Sequence, residues 1–415
     1  MNFKNILINL LPNFPNKRFG IYSGTNTKEE WWLMANSLSN FKKEYENKDY
    51  ILKFEQNFAK KCNTKYALSF GAGRMALYSI LRALNIGDGD EIILPAFTCV
   101  VVPNAILYSK AKPVYLDINP VNFNINVDLI ESAITKKTKA IYAQHTFGIP
   151  CDIERIKKIA HKHNLIVIED GAHALGMSYK NQKCGELGDV AFFSIDHSKV
   201  INTHLGGMAV TNNESIYKSL LKLKKETISL EKKDVKKITI SFLIENILLS
   251  PYVLWIGKSI HAILTYFKFL FFFKDELILN KPSYYPCDLN PILSKLGSSQ
   301  LKNFDNNLNH RINIAKFLEE KIKWYKFSQE DINNFAWLRY SFVVRDRKKF
   351  IKKFSKIFNL DIWYDSIFAG REKNFEDVKY IKGSCPVAEF VAKKIVNLPT
   401  HLGIPMTVIK KTIDK

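Results

Sequence analysis

Seven short runs in the first half of the chain are apolar at nearly every position: YALSF (66–70), EIILP (91–95), KPVYLD (112–117), KAIYAQH (139–145), LIVIED (165–170), DVAFFS (189–194) and GMAVTN (207–212). A strand with one wet face alternates apolar and polar residues. These runs do not, so both of their faces meet a core. Between them lie stretches of helical periodicity, at about 74–84, 101–109, 128–135 and 152–163. The alternation predicts an α/β fold with a mostly parallel seven-stranded sheet flanked by helices. In such sheets ligands bind beyond the carboxyl ends of the strands, so the residues just after each run matter most.

Past residue 221 the pattern changes. A Lys-rich run at 222–237 precedes a strongly apolar stretch at 238–273, which Glu245, Pro251, Lys258 and Lys268 interrupt. A membrane-crossing helix needs about 20 clean apolar residues. Two helices with apolar faces are expected instead, packed on the body or a second subunit, or lying in a membrane interface. Tyr252, Trp255, Tyr266, Phe242 and the Phe residues between 267 and 273, following a basic run, suit the anionic face of a membrane. A helix at 291–322, a strand WLRYSFVV (337–344) and a closing NLPTH (397–401) predict a small C-terminal α+β domain. The expected division is 1–221 for a large domain with an N-terminal arm, 222–285 for the basic and apolar helical insertion, and 286–415 for the small domain.

Composition narrows the class. In 415 residues, 47% are hydrophobic and only 18 are Gly and 14 Pro, which excludes a disordered, collagenous or coiled-coil chain. The net charge of +21 is spread along the chain rather than gathered into a patch, so no nucleic-acid partner is expected. Cysteines at 62, 99, 151, 184, 287 and 385 form no CxxC pair and no zinc-ligand spacing; they read as free thiols, with no metal site. The opening MNFKNILINLLPNF has Asn9 within its apolar run, Pro12 soon after and no small-residue cleavage site, so it is not read as a secretory leader. The expected address is the cytoplasm, with attachment to the inner membrane face through 238–273.

Candidate chemistry sits at three strand ends. LIVIED closes on Asp170, followed by Gly171, Ala172 and His173; a carboxylate there is placed to hold a cationic ring nitrogen. DVAFFS closes on Ser194, and Lys199 follows five residues later. An amine and a carboxylate from adjacent strand ends are what pyridoxal 5′-phosphate requires, one for the Schiff base and one for the pyridinium nitrogen. After the first run, GAGRMAL (71–77) opens a helix near Arg74, where glycines let the backbone approach an anion and the helix dipole favours phosphate.

Over residues 66–213 these motifs resemble the DegT/StrS-type nucleotide-sugar aminotransferases of the aspartate aminotransferase-like fold. The resemblance rests on GAGRMAL, GDGDEIILPAFTCVVVPNAILYSKAKPVYLDI, TKAIYAQHTFGIPCD, HNLIVIEDGAHALG, GELGDVAFFSIDHSK and LGGMAVTNN. It implies that Lys199 is the Schiff-base lysine, Asp170 the pyridinium partner and His173 the residue beside the cofactor, with Ser194 and the Gly73–Arg74 turn on the phosphate. Arg74 stands where relatives commonly carry Thr, which suggests a guanidinium clamp. Cys99 stands where an aromatic commonly stacks on the ring, leaving Phe97 as the alternative; Pro286, Cys287 and Asp288 stand where an Asn-Tyr-Arg group reaches a neighbouring subunit. His145 and His401 match family histidines, each with a reading as a structural residue. A lysine at 199 argues against the branch in which histidine replaces it and sugars are dehydrated.

The resemblance implies a homodimeric transaminase that takes nitrogen from an amino donor such as L-glutamate and gives it to a keto sugar, in the synthesis of a surface polysaccharide or glycolipid precursor. Two other readings stand beside it. One is a different reaction of the same pyridoxal-phosphate fold, the other a non-catalytic regulator or peripheral membrane protein.

Overall fold

The computed structural model describes residues 18–20, 25–271, 273, 277–322, 324–325, 327–360 and 362–414; the N-terminal run at 1–17 and Phe272 lie outside them. Each apolar run forms a strand within one residue of expectation: β1 (Tyr66–Phe70), β2 (Glu91–Pro95), β3 (Lys112–Leu116), β4 (Thr138–Gln144), β5 (Ile166–Asp170), β6 (Val190–Ser194) and β7 (Gly207–Thr211). They form one sheet in the order β1-β7-β6-β5-β4-β2-β3. Only β7 is antiparallel, pairing on one side with β6 and on the other with β1. Consequently β1, β5 and β6 point the same way, and the loops after them, which carry Gly73–Arg74, Asp170–His173 and Ser194–Lys199, open on one edge of the sheet.

Helices cover both faces, as the lack of alternation in the strands requires. α1 (Asp49–Lys61), α2 (Gly73–Ala83), α3 (Val101–Tyr108) and α4 (Ile153–Lys162) belong to this body. α4 shows why: Asp152 caps it by accepting the Arg155 N–H at 3.3 Å, and Ile153, Ile156 and Ala160 recur on the buried face.

The insertion is two helices, as expected: α5 (Lys232–Leu248) and α6 (Leu254–Tyr266). α5 sends Val235, Ile238 and Phe242 into the main core. α6 buries Leu254, Gly257 and Ser259 but leaves Ile256, Ile260, Ile263 and Phe267 exposed, a stripe at helical spacing. No helix among the described residues is long and apolar enough to cross a membrane.

The helix expected at 291–322 is two, α7 (Pro291–Lys302) and α8 (Phe304–Ile322), parted at Asn303. The reason is a change of partner. Leu293 and Leu296 of α7 join the main core, and Gly297 lies so close to the Phe54 ring that an added Cβ would sit 2.5 Å from it. Ile312, Ile314, Ala315 and Leu318 of α8 face a second core, with Trp337, Phe342 and Leu398. That core rests on β8 (Arg339–Val343), the strand expected from WLRYSFVV, paired antiparallel with β9 (Ile395–Pro399), which takes in the start of the closing NLPTH.

Candidate active site

The loop between β6 and β7 carries Lys199, and it is pinned from below. Gln300 of α7 accepts the Asn202 N–H and donates to the Asn202 carbonyl, both at 2.7 Å, while Asn307 of α8 donates to the Val200 carbonyl at 2.7 Å. Thr203 and Asn202 tie the loop to itself, through the Ile195 and Leu205 carbonyls and the His204 N–H. The backbone therefore fixes the lysine, whose side chain is buried. Burial, with the nearby Arg339 guanidinium adding to it, brings the Lys199 pKa down to about 8 despite Cys99 and Asp170, which oppose the shift.

Asp170 ends β5 one strand away, also buried. Its carboxylate accepts the Tyr142 hydroxyl from β4 and, at 2.8 Å, the Ala172 N–H. Burial pushes its pKa up, while Tyr142, Ala172 and Lys199 favour the charged form. A buried carboxylate already oriented by two donors can accept a hydrogen bond from a protonated ring nitrogen without rearrangement.

His173 follows on the same loop. Its Nδ1 accepts the Phe147 N–H at 3.2 Å, so the ring proton sits on Nε2; burial, aided by Lys199 and Arg339, holds its pKa well below the usual value. The imidazole lies between Phe147, 5.8 Å away and nearly parallel, and Trp363, 5.4 Å away. The ring that faces Lys199 is Trp363, whose centroid is 4.6 Å from Nζ and 4.0 Å from the Arg339 guanidinium carbon. Arg339 also donates to the Ser198 hydroxyl at 3.2 Å. Phe97 is packed into a neighbouring aromatic cluster with Phe123, Phe147 and Tyr364, whereas Cys99 lies close enough to Lys199 to influence its charge.

The third strand end supplies an anion cradle. A Cβ on Gly73 would lie 2.9 Å from that of Ser194, and one on Gly207 would lie 2.4 Å from the Ala72 carbonyl and the Gly73 nitrogen. Only glycines let the turn, β6 and β7 approach this closely. Ala72 at the N-cap of α2 brings no side-chain acceptor to the first turn, and the helix N-terminus, which favours an anion, begins in this turn at Gly73 and Arg74. Amine, carboxylate and cradle thus stand at three strand ends on one edge, a donor set that fits a phosphorylated pyridoxal.

The remaining expected residues have structural partners. His145 takes the Cys151 N–H on Nδ1 and meets Glu169 at 3.1 Å on Nε2, and Glu169 in turn accepts the Gly185, Leu187 and Gly188 N–H groups. His401 donates to the Gly20 carbonyl at 2.7 Å, and burial brings its pKa down to about 3. Cys287 accepts the Gly71 N–H on its carbonyl and Asp288 accepts the Thr227 hydroxyl, so the 286–288 segment is bound within its own chain.

Nothing in the sequence pattern singles out Tyr142, Arg339 or Trp363. The one trace of Trp363 is the Asn of NLPTH: Asn397 accepts the Trp363 N–H at 2.7 Å and donates to its carbonyl at 2.8 Å, fixing the indole from a distant strand.

The model of the DegT/DnrJ/EryC1/StrS aminotransferase family matches residues 33–248 and 278–415. GDP-perosamine synthase of Escherichia coli O157:H7 is 39% identical over 207 residues, which cover 47% of this chain and 57% of that protein. GDP-perosamine synthase of Caulobacter vibrioides is 42% identical over 167 residues, covering 40% and 45%. The chain thus spans about half the length of the curated relatives it matches. The aminotransferase from Psychrobacter cryohalolentis, a solved structure, superposes with a TM-score of 0.73 at 22% identity over 94% of this chain and 95% of that one, so the fold extends through the whole molecule.

Proposed function

The chain belongs to the DegT/DnrJ/EryC1/StrS aminotransferase family, and from that premise we propose that it is a pyridoxal 5′-phosphate-dependent transaminase moving an amino group from a donor such as L-glutamate to a nucleotide-linked keto sugar. The observation that carries this reading is the buried pair Lys199 and Asp170 on adjacent strand ends. When bound, the cofactor supplies an electron sink for the pair left as a Cα–H bond breaks.

The protein supplies everything around that sink. With a pKa near 8, Lys199 presents a neutral amine far more often at neutral pH than an exposed lysine does, so Nζ can attack an aldehyde and later carry a proton. Asp170, held by Tyr142 and Ala172, keeps the proton on the ring nitrogen. Neutral His173 lies flat between Phe147 and Trp363 and keeps water from that side. Arg74, Ser194 and the first turn of α2 hold the phosphate. The relatives named GDP-perosamine synthase support GDP-linked keto sugars as the first substrates to try. Nitrogen-15 glutamate incubated with the holoenzyme and such sugars should give a labelled amino sugar by mass spectrometry; label retained in glutamate across GDP-, UDP- and dTDP-linked keto sugars would refute the reading.

The exposed stripe of α6 supports a second part of the proposal, attachment to an anionic membrane where glycolipid precursors are made. Ile256, Ile260, Ile263 and Phe267 are apolar and exposed, Lys268 follows Phe267 directly, and Lys237 of α5 donates to the Lys268 carbonyl. Each Lys at an anionic surface contributes roughly 1 kcal/mol, which salt screens. The protein should float with anionic liposomes at low salt and less fully at high salt. Failure to float at either salt, in a dimer that Ile260→Lys converts to monomer, would assign this face to a second subunit.

A further inference from the structure

We propose that the chain carries a divalent-metal site, of the kind that takes zinc, built from His197, His204 and Glu245, which joins the Lys199 loop to the helical insertion. The proposal is independent of the transaminase reading. Sequence spacing conceals the site, because 40 residues part its histidines from its glutamate. His197 and His204 flank Lys199 on the β6–β7 loop, and Glu245 reaches them from α5.

Each of the three offers one ligand atom, and those atoms all lie within 4.8 Å of one another. His197 Nε2 is 2.8 Å, and His204 Nδ1 3.3 Å, from the same oxygen, Glu245 Oε2. In a tetrahedral zinc site with bonds of 2.0–2.1 Å, neighbouring ligand atoms stand about 3.3 Å apart. His204 already stands at that distance from Glu245 Oε2, and His197 would move outward to admit the ion.

Hydrogen-bond accounting favours a cation at this point. Asp196 Oδ1 is 2.7 Å from His197 Nδ1 and claims the proton there. The short approach of Nε2 to Glu245 Oε2 then needs either a second proton or a metal ion between them, and the metal is the occupant that also engages His204 at the same oxygen. The carboxylate–histidine pairing is also the usual way a zinc ligand is oriented. On the far side His261 of α6 meets Glu245 Oε1 at 3.1 Å and steadies the carboxylate from the segment 249–277, which lies outside the family match. The carboxylates of buried Glu245 and half-buried Asp196 balance the charge of one divalent ion.

The other buried cluster with ligand spacing, His145, Glu169 and Cys184, lacks this opening, since both Glu169 oxygens already accept backbone N–H groups. A metal at His197, His204 and Glu245 would tie the Lys199 loop to α5 and α6, coupling the insertion to the site.

The test is a zinc titration of chelator-stripped holoenzyme against a chromophoric competitor. One equivalent per chain should bind with a Kd below micromolar; His204→Gln and Glu245→Gln should each weaken it by at least about 100-fold, since they remove a direct ligand. His163→Gln, at the exposed Glu131 pair, should not change it. Zinc affinity of His204→Gln equal to that of the unaltered protein overturns the proposal. X-ray absorption at the zinc edge of the unaltered protein needs no variant to fold: two imidazole ligands are expected, and fewer than two, or no bound zinc, means that a proton alone holds the cluster.

Discussion

Lys199→Ala is expected to purify without a chain-bound cofactor and to lose transaminase activity by roughly 10,000-fold, because one side chain serves as both nucleophile and proton carrier. Borohydride reduction followed by peptide mapping reads the first loss directly: the pyridoxyl label should sit on Lys199 in the unaltered protein and be missing from the variant. A label still trapped on the variant chain would place the nucleophile elsewhere. The fold should survive, since the loop is held by Gln300, Asn307 and its own Asn202 and Thr203 rather than by the lysine.

A companion variant separates function from stability. The folded-state pKa of Lys199, about 8, lies below its ordinary 10.5, so the unfolded chain binds more protons between those values and stability rises with pH across that window. Below about pH 8 the fold bears the full cost of a buried cation beside Arg339. Lys199→Met removes that cost, so the variant without cofactor should melt above the cofactor-free unaltered protein at pH 7, with the gap narrowing toward pH 10.5. A lower melting temperature at pH 7 would show that the ammonium is favourably solvated where it lies.

Asp170→Asn is expected to keep the fold and the cofactor but to lose turnover by about 1,000-fold, the scale on which a preorganised charge acts at a reacting group. The amide oxygen can still accept the Ala172 N–H, which preserves the local turn. What it cannot do is hold a proton on a pyridine nitrogen, because it carries no negative charge. Absorbance of the bound cofactor should persist while half-reaction rates with glutamate collapse. Rates within about threefold of the unaltered protein would remove Asp170 from the chemistry.

The sheet and the position of the Lys199–Asp170 pair on it were legible for a simple reason. Strands buried on both faces read as unbroken apolar runs, and a parallel sheet puts the residues after those runs on one edge, so Asp170, Ser194 and Lys199 could be placed from position alone. Trp363 could not, because it sits outside any periodic segment and is held by Asn397, whose own signal is only a strand position. Tyr142 reads as one more aromatic in an apolar run, and its bond to Asp170 depends on the β4–β5 register. Arg339 reads as the polar residue of an alternating strand, which on a solvated sheet would face water; here the face is covered. The break at Asn303 was hidden because α7 and α8 share one helical period while serving different cores.

The antiparallel strand β7 has a consequence for how the protein is made. Among the described residues β1 finds no sheet neighbour other than β7, which follows it by about 140 residues. At a synthesis rate of 5–20 residues per second, β1 waits on the order of ten seconds on the nascent chain with its backbone groups unpaired. A ribosome-bound fragment ending before Gly207 therefore presents YALSF as an open edge, open to pairing with a neighbouring chain. Its glycine turn has no β7 to close on, so the proposed phosphate cradle forms only after translation has passed Thr211. The Lys199 loop is made a few residues earlier, and cofactor encountered before that point meets the reactive amine without its anchor.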